Sequence, residues 1–275
     1  MSKLRDAIQI YQNRGLQHLS HRVLDFINWR LKGLMSEIFS AYWDSRGGKQ
    51  NFTINGVTAE FAASRDEGGD ANRGRISMEY ELIDDLLENI EQEDVFYDIG
   101  ANTGLISNFA GQICSKVVAF EPYPPNYDQL KRTLSDTPAD IQTYKLALAD
   151  SGGEVGFSAT GGTGHGTGSI GSGDITVNKM RGDKIISKDE LEHPDIVKID
   201  VEGAEGLVID GMKGALADAR KVYCEIHLPA DHRTSIESYG WTPMELLMEL
   251  ESLGFEIRFL NDRGPEIQVI AENLQ

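Results

Sequence analysis

VFYDIGANTGL, residues 95–105, is a short apolar strand that runs into Asp98 and then turns through Gly100, Asn102 and Gly104. An acid at a strand end, a glycine turn and a helix start are how a doubly wound α/β sheet receives an adenosine-containing cofactor. Glu121 closes a second apolar strand, VVAF, 23 positions after Asp98. A carboxylate there can accept both ribose hydroxyl protons. The turn departs from G-x-G-x-x-G, because Asn102 stands at the second glycine position, where a glycine would let the backbone approach a pyrophosphate. With Asp98 also facing the turn, a cationic, phosphate-free adenosyl ligand fits better than a nicotinamide dinucleotide. S-adenosylmethionine is such a ligand.

Outward from this turn the pattern alternates strand and helix, as a parallel sheet requires. VVAFEP reads as the second strand, YDQLKRTL as a helix, IQTYKLALAD as the third strand and DIVKIDVEG as the fourth. EGLVIDGMKGAL is a helix and KVYCEIH the fifth strand. PMELLMELESLG is a further helix, with Thr242 as N-cap and Gly254 as its stop, before the closing strands FEIRFL and EIQVIA. Upstream, SMEYELIDDLLENI reads as a helix and FTINGVTAEF as a hairpin around Asn55-Gly56. Between the third and fourth strands, residues 151–173 hold ten glycines in 23 positions. They read as a long structureless loop: either a mobile surface segment, or an active-site cover whose His165, Thr167 and Ser169 meet the substrate.

These elements place one domain over residues 51–275, preceded by an amphipathic helical extension over 1–50. Within 3–43, Leu16, Leu19, Val23, Phe26, Leu31 and Leu34 recur at helical steps, with Arg14, Arg22 and Arg30 on a neighbouring face. The stripe packs on the catalytic domain or on a second copy of the chain, or it lies on an anionic membrane surface with Trp29 and Trp43 at the headgroups. The net charge is -18; residues 1–50 carry eight basic and four acidic residues, so the remainder carries -22. That balance argues against a nucleic-acid partner and suits a protein that stays dispersed in high salt. No run is long enough to span a membrane and no signal peptide is evident, so a cytoplasmic protein is expected, peripheral at the inner membrane face if the helix binds lipid. Cys114 and Cys224 lie in apolar stretches and read as buried reduced thiols.

DIGANTG, FEP with Glu121, LALAD, GHGTGSI, IVKIDVEGAE and YCEIH follow in that order over about residues 76–228. The series resembles the FkbM-type S-adenosylmethionine-dependent methyltransferases. The resemblance implies a class I methyltransferase fold, Rossmann-like, with a seven-stranded, mostly parallel sheet. It also implies methylation of a hydroxyl on a sugar, glycolipid or natural-product scaffold, with a small-molecule or lipid-linked saccharide as acceptor. Asp98, Gly100, Asn102, Thr103 and Gly104 would cradle the methionine part of the cofactor. Glu121, followed by Pro122, would hold the ribose, Leu146 and Ala147 would line the adenine, and Asp200 would stand at the reactive end.

Methyl transfer to a hydroxyl needs a positioned nucleophile and a group to take its proton. Strand periodicity puts Asp200 with Glu202, and Glu225 with His227, on shared sides of the fourth and fifth strands. The preferred reading makes His227 a neutral general base, since its ordinary pKa is ~6.5, oriented by Glu225 or Glu202. A second reading gives Asp200, Glu225 and His227 to a magnesium ion. A third makes Glu202 or Glu205 a helix N-terminal acid and His227 a structural residue. A carboxylate- or N-methyltransferase, a nucleotide-binding oxidoreductase and a non-catalytic cofactor-binding subunit stay open as alternatives.

Overall fold

The computed structural model describes residues 48–62, 71–160, 167–171, 173–230 and 234–273. The amphipathic segment 3–43 and His165 lie outside them. Two compact units divide the chain, Met1–Gln50 with Phe61–Ser77, and Asn51–Glu60 with Met78–Gln275.

Asn55 and Gly56 both have positive φ, 48° and 78°, the mirror-image turn that matches strand twist. They join β1 (Lys49–Ile54) to β2 (Val57–Ala62) as the Asn-Gly pair predicts. The helix expected over 77–90 is two, α1 (Ala71–Met78) and α2 (Tyr80–Asn89), parted at Glu79. The larger sheet then begins with β3 (Val95–Ile99), α3 (Leu105–Ala110), β4 (Lys116–Phe120), α4 (Pro124–Thr133) and β5 (Asp140–Tyr144). The expected third strand does not continue past Tyr144. Its second half becomes β6 (Ala147–Leu148), which leaves the main sheet and pairs with β9 (Ile175–Met180).

The glycine-rich stretch is not structureless: it carries β7 (Gly153–Thr160) and β8 (Thr167–Gly171), which form a small sheet in the order β6-β9-β7-β8. Gly156, Gly168 and Gly173 are sites of close approach. A Cβ on Gly173 would stand 2.0 Å from the Phe157 carbonyl oxygen, and one on Gly168 would stand 2.2 Å from the Phe157 ring. Glycine content, read as loop, here marks backbones and a ring packed against one another.

The chain returns through α5 (Gly182–Asp189) to β10 (Ile196–Ile199). The single helix expected next is broken at Met212 into α6 (Glu205–Gly211) and α7 (Lys213–Asp218). β11 (Lys221–His227), a 3-10 turn at Ile236–Tyr239, α8 (Pro243–Ser252), β12 (Glu256–Asp262) and β13 (Glu266–Glu272) complete it. Thr242 caps α8 in a reciprocal box with Glu245. The main sheet runs β12-β13-β11-β10-β3-β4-β5. β3, β4, β5, β10 and β11 are parallel, and β13 enters antiparallel beside β11. Its central strands are buried along nearly their whole length, as at Phe96, Val118, Val197 and Val222. The chain turns outward in both directions from β3, which makes the β3/β10 border the switch point where a ligand crevice opens. Among the described residues no helix is long and apolar enough to cross a membrane.

Candidate active site

Ile99 pairs with Phe120 and with Ile199, and Ile199 pairs with Cys224. Gly100, Glu121 and Asp200 therefore leave the sheet on one rung, level with Glu225, which stays paired to Gln268 in β11: four neighbours produced by register alone. Gly100 has φ 80°, and a Cβ there would lie 1.7 Å from the Asp200 carbonyl oxygen, so only glycine lets the two turns pass. Asn102 follows at φ 53°, a left-handed conformation that asparagine tolerates better than most residues.

Glu121 is buried and both of its oxygens take backbone donors, from Asn102 N at 2.8 Å and Tyr123 N at 2.9 Å. Burial raises its pKa to about 7, and these hydrogen bonds oppose the rise. Beside it a cleft opens at the strand ends. Gly100, Asn102, Glu121, Pro122, Leu146, Ala147 and Asp200 all stand in its wall. The other three residues expected at the cofactor do not. Asp98 is fully buried behind the turn, where it accepts the Ser107 hydroxyl at 2.6 Å and faces Lys198 Nζ at 3.5 Å. Thr103 and Gly104 are absent from the wall; a Cβ on Gly104 would meet Leu130 at 2.8 Å.

Lys198 is a cation that the sequence reading passed over. It is 6% exposed and donates to Asp200 at 3.1 Å and to the Gly100 carbonyl at 3.1 Å, tying both turns together. Burial works against its charge, but Asp200 and Asp98 raise its pKa above the usual lysine range. A lone lysine inside IVKI was the available signal, because a buried charge in a central strand needs a partner.

β10 ends at Ile199, so Asp200 and Glu202 do not share one side of an extended strand as periodicity suggested. Glu202 instead sits in a turn at φ 54°, a rare conformation for a non-glycine residue. The turn brings its carboxylate into the cleft wall and within 3.3 Å of His227 Nε2. Asp200 and Glu225 lie 3.9 and 3.8 Å from the same nitrogen. The shortest contact to His227 comes from Glu205, fully buried, which meets His227 Nδ1 at 2.8 Å and accepts the Gly203 N–H at 2.8 Å. Glu225 is held from behind by Gln268 at 2.7 Å and Arg263 at 3.3 Å.

His227 does not keep its ordinary pKa. Burial pulls it down, but the Glu205 hydrogen bond and the charges of Glu205, Asp200 and Glu202 outweigh that and carry it to about 10. Glu225 is pushed up to about 8 by burial and by Asp200 and Glu79. Burial raises Asp200, yet Lys198 and His227 bring it below the usual carboxylate range. The neighbours of His227 thus favour the imidazolium, where its ordinary pKa had suggested a neutral base. Ligand atoms of Asp200, Glu202 and His227 lie within 4.8 Å of one another, as do those of Glu225, His227 and Glu266. A divalent ion in either group would need His227 deprotonated, against the state its neighbours favour.

The strand order, the antiparallel β13 and the acid-bordered switch point define a class I methyltransferase domain. The chain belongs to the FkbM methyltransferase family, whose domain matches residues 98–257. It is 34% identical over 157 residues to the hexuronic acid methyltransferase AglP of Haloferax volcanii, across 56% of this chain and 64% of that protein. It is 28% identical over 212 residues to the 2-O-methyltransferase NoeI of Sinorhizobium fredii, across 68% of this chain and 83% of that one. Among solved structures, a putative methyltransferase of Streptococcus mutans in complex with SAH aligns with 70% of this chain and 96% of its own, at 13% identity and a TM-score of 0.45. That likeness is too loose to carry an argument.

Proposed function

We propose that this chain is an S-adenosylmethionine-dependent O-methyltransferase whose acceptor is a hydroxyl of a saccharide, free or lipid-linked. One observation carries the reading: a single cleft has the ribose-type acid Glu121 in its wall and, in the same wall, Glu202 set against the buried His227. Family membership supports the reaction, the hexuronic acid methyltransferase relative supports a saccharide acceptor, and the 2-O-methyltransferase relative supports transfer to oxygen.

The residues fit a cationic adenosyl group. Asn102 Oδ1 is a buried acceptor with no partner, and among the described residues the cleft wall carries the acids Glu121, Asp200 and Glu202 and no basic side chain. Glu121 would hold the ribose, Leu146 and Ala147 would flank the adenine, and Asp200, fixed by Lys198, would border the reactive end. When bound, the cofactor supplies an electrophilic methyl group. The acceptor proton goes to Glu202, because an imidazolium already carries a proton on each nitrogen. His227, held by Glu205, faces Glu202 at 3.3 Å. Asp200, held below the usual carboxylate range, is a poor base.

The test is to incubate the full chain with methyl-labelled S-adenosylmethionine and glycosides of hexuronic acids and of neutral sugars. Label in an alkali-stable ether is expected. Label released by mild alkali would mark a methyl ester and a carboxylate acceptor. No transfer, with S-adenosylhomocysteine binding intact, would overturn the acceptor class.

A further inference from the structure

The small sheet inserted between β6 and α5 contributes to the same cleft as the strand ends. Phe157, Gly168 and Ile170 stand in its wall with Glu121, Tyr123 and Leu146. Pairing explains why these three meet. Phe157 is the Cα partner of Ile170 across β7 and β8, and Gly168 is the partner of Ala159, two residues along. Directly paired residues point to one face, so Phe157, Ala159, Gly168 and Ile170 share the face that borders the cleft. The Phe157 ring lies across Gly168, where a Cβ would come within 2.2 Å of it. Gly168 thus acts as a seat for the ring.

The ring also meets the main domain. Phe157 stacks on Tyr123, with ring centroids 5.7 Å apart and planes 18° apart. Tyr123 donates its backbone N–H to Glu121, the acid that borders the ribose position. An adenosyl group whose ribose rests on Glu121 therefore brings its purine to the neighbourhood of this aromatic pair. The inserted sheet is tied in place on its far side. The Tyr239 hydroxyl donates to the Ile170 carbonyl, and the Thr234 hydroxyl lies 3.0 Å from that of Ser169.

We infer that Phe157, seated on Gly168 and stacked with Tyr123, is the purine-binding residue that the inserted sheet supplies, so the glycine-rich insertion builds the cofactor site. The inference rests on the reading of the cleft as an adenosyl site. It gives a reason for a glycine at position 168 that loop flexibility does not: any side chain there displaces the ring.

The experiment is calorimetric titration of the full chain and its variants with S-adenosylhomocysteine. Phe157→Ala should raise Kd roughly tenfold or more, in line with the loss of one base–aromatic stack. Phe157→Leu keeps the apolar bulk of the position and should still lose most of that factor. Gly168→Ala should weaken binding to a similar degree in the wild-type background and add nothing in the Phe157→Ala background, since both changes act through one ring. Glu154→Ala, exposed on the same strand, should bind as wild type, with melting temperatures showing that all variants fold. Wild-type chain that fails to bind S-adenosylhomocysteine would sink the adenosyl reading itself. Wild-type binding with Phe157→Ala and Phe157→Leu both within twofold of it, or an additive Gly168→Ala, would overturn the inference alone.

Discussion

Glu205 and Glu202 approach opposite nitrogens of His227, at 2.8 and 3.3 Å, the one from the first residue of α6 and the other from the turn before it. The buried partner fixes the ring and the cleft-side partner faces the acceptor, so their replacements should separate. Glu202→Gln should lower kcat by about 10²–10⁴, the usual worth of a general base, and leave the Kd for S-adenosylhomocysteine unchanged. Glu205→Gln should lower the pKa of His227, visible as imidazole titration by NMR at a lower pH than in the wild type; an unmoved titration would refute Glu205 as the source of the shift. Glu121, with its pKa raised to about 7, gives a third test. Affinity for S-adenosylhomocysteine should fall as pH drops below about 7, because a protonated carboxyl has less capacity to accept ribose hydroxyls, and Glu121→Gln should flatten that profile. Most of these side chains were visible in the sequence as types: DIG, FEP, KID and EIH all mark strand ends. Their roles were not. His227 changes from base to cation because four carboxylates from two segments converge on it, and convergence is a property of three dimensions.

At the level of elements, the strand-end turns depend on glycine for steric reasons that a substitution can expose. Gly100→Ala places a methyl 1.7 Å from the Asp200 carbonyl oxygen at φ 80°. It should cost about 2 kcal/mol or more and separate the Gly100 turn from Asp200, which denaturant unfolding and cofactor titration would both register. Thr242→Ala removes one half of the α8 capping box and should cost about 1 kcal/mol without changing cofactor affinity. β11, α8 and the hairpin turn were legible because their signals are local: an apolar run, a Thr-Pro start with Glu245 behind it, an Asn-Gly pair. The departure of β6 from the main sheet was not legible, since LALAD continues the apolar pattern of the strand before it. β7 and β8 were hidden by their glycines; the reason for Gly168 is a ring belonging to another strand, and that for Gly156 is the neighbouring backbone.

For the whole molecule, the buried charges predict how stability responds to pH. The pKa of His227 is about 10 folded against 6.5 unfolded, so its contribution is full below pH 6.5 and is lost as pH rises through 10. That of Glu225 is about 8 folded against 4.5 unfolded, and its contribution likewise declines from pH 4.5 to 8. The melting temperature should therefore fall between pH 6.5 and 8, where both act, and His227→Gln should flatten the slope; a rising melting temperature there would contradict both shifts. The charge of -18 should make the protein more stable in molar potassium chloride than in low salt, through screening of its self-repulsion, and equal unfolding midpoints would count against this. By itself the sequence determined the α/β alternation, the adenosyl-type turn and the family, because periodicity, glycine turns and strand-end acids are encoded by neighbours along the chain. Only the tertiary structure decided that Lys198 locks the two turns, that Glu205 holds His227 charged, and that the glycine-rich insertion lines the cleft. Each of these depends on which distant backbones lie side by side, and burial and pairing between them set the charge and position of every group in the site.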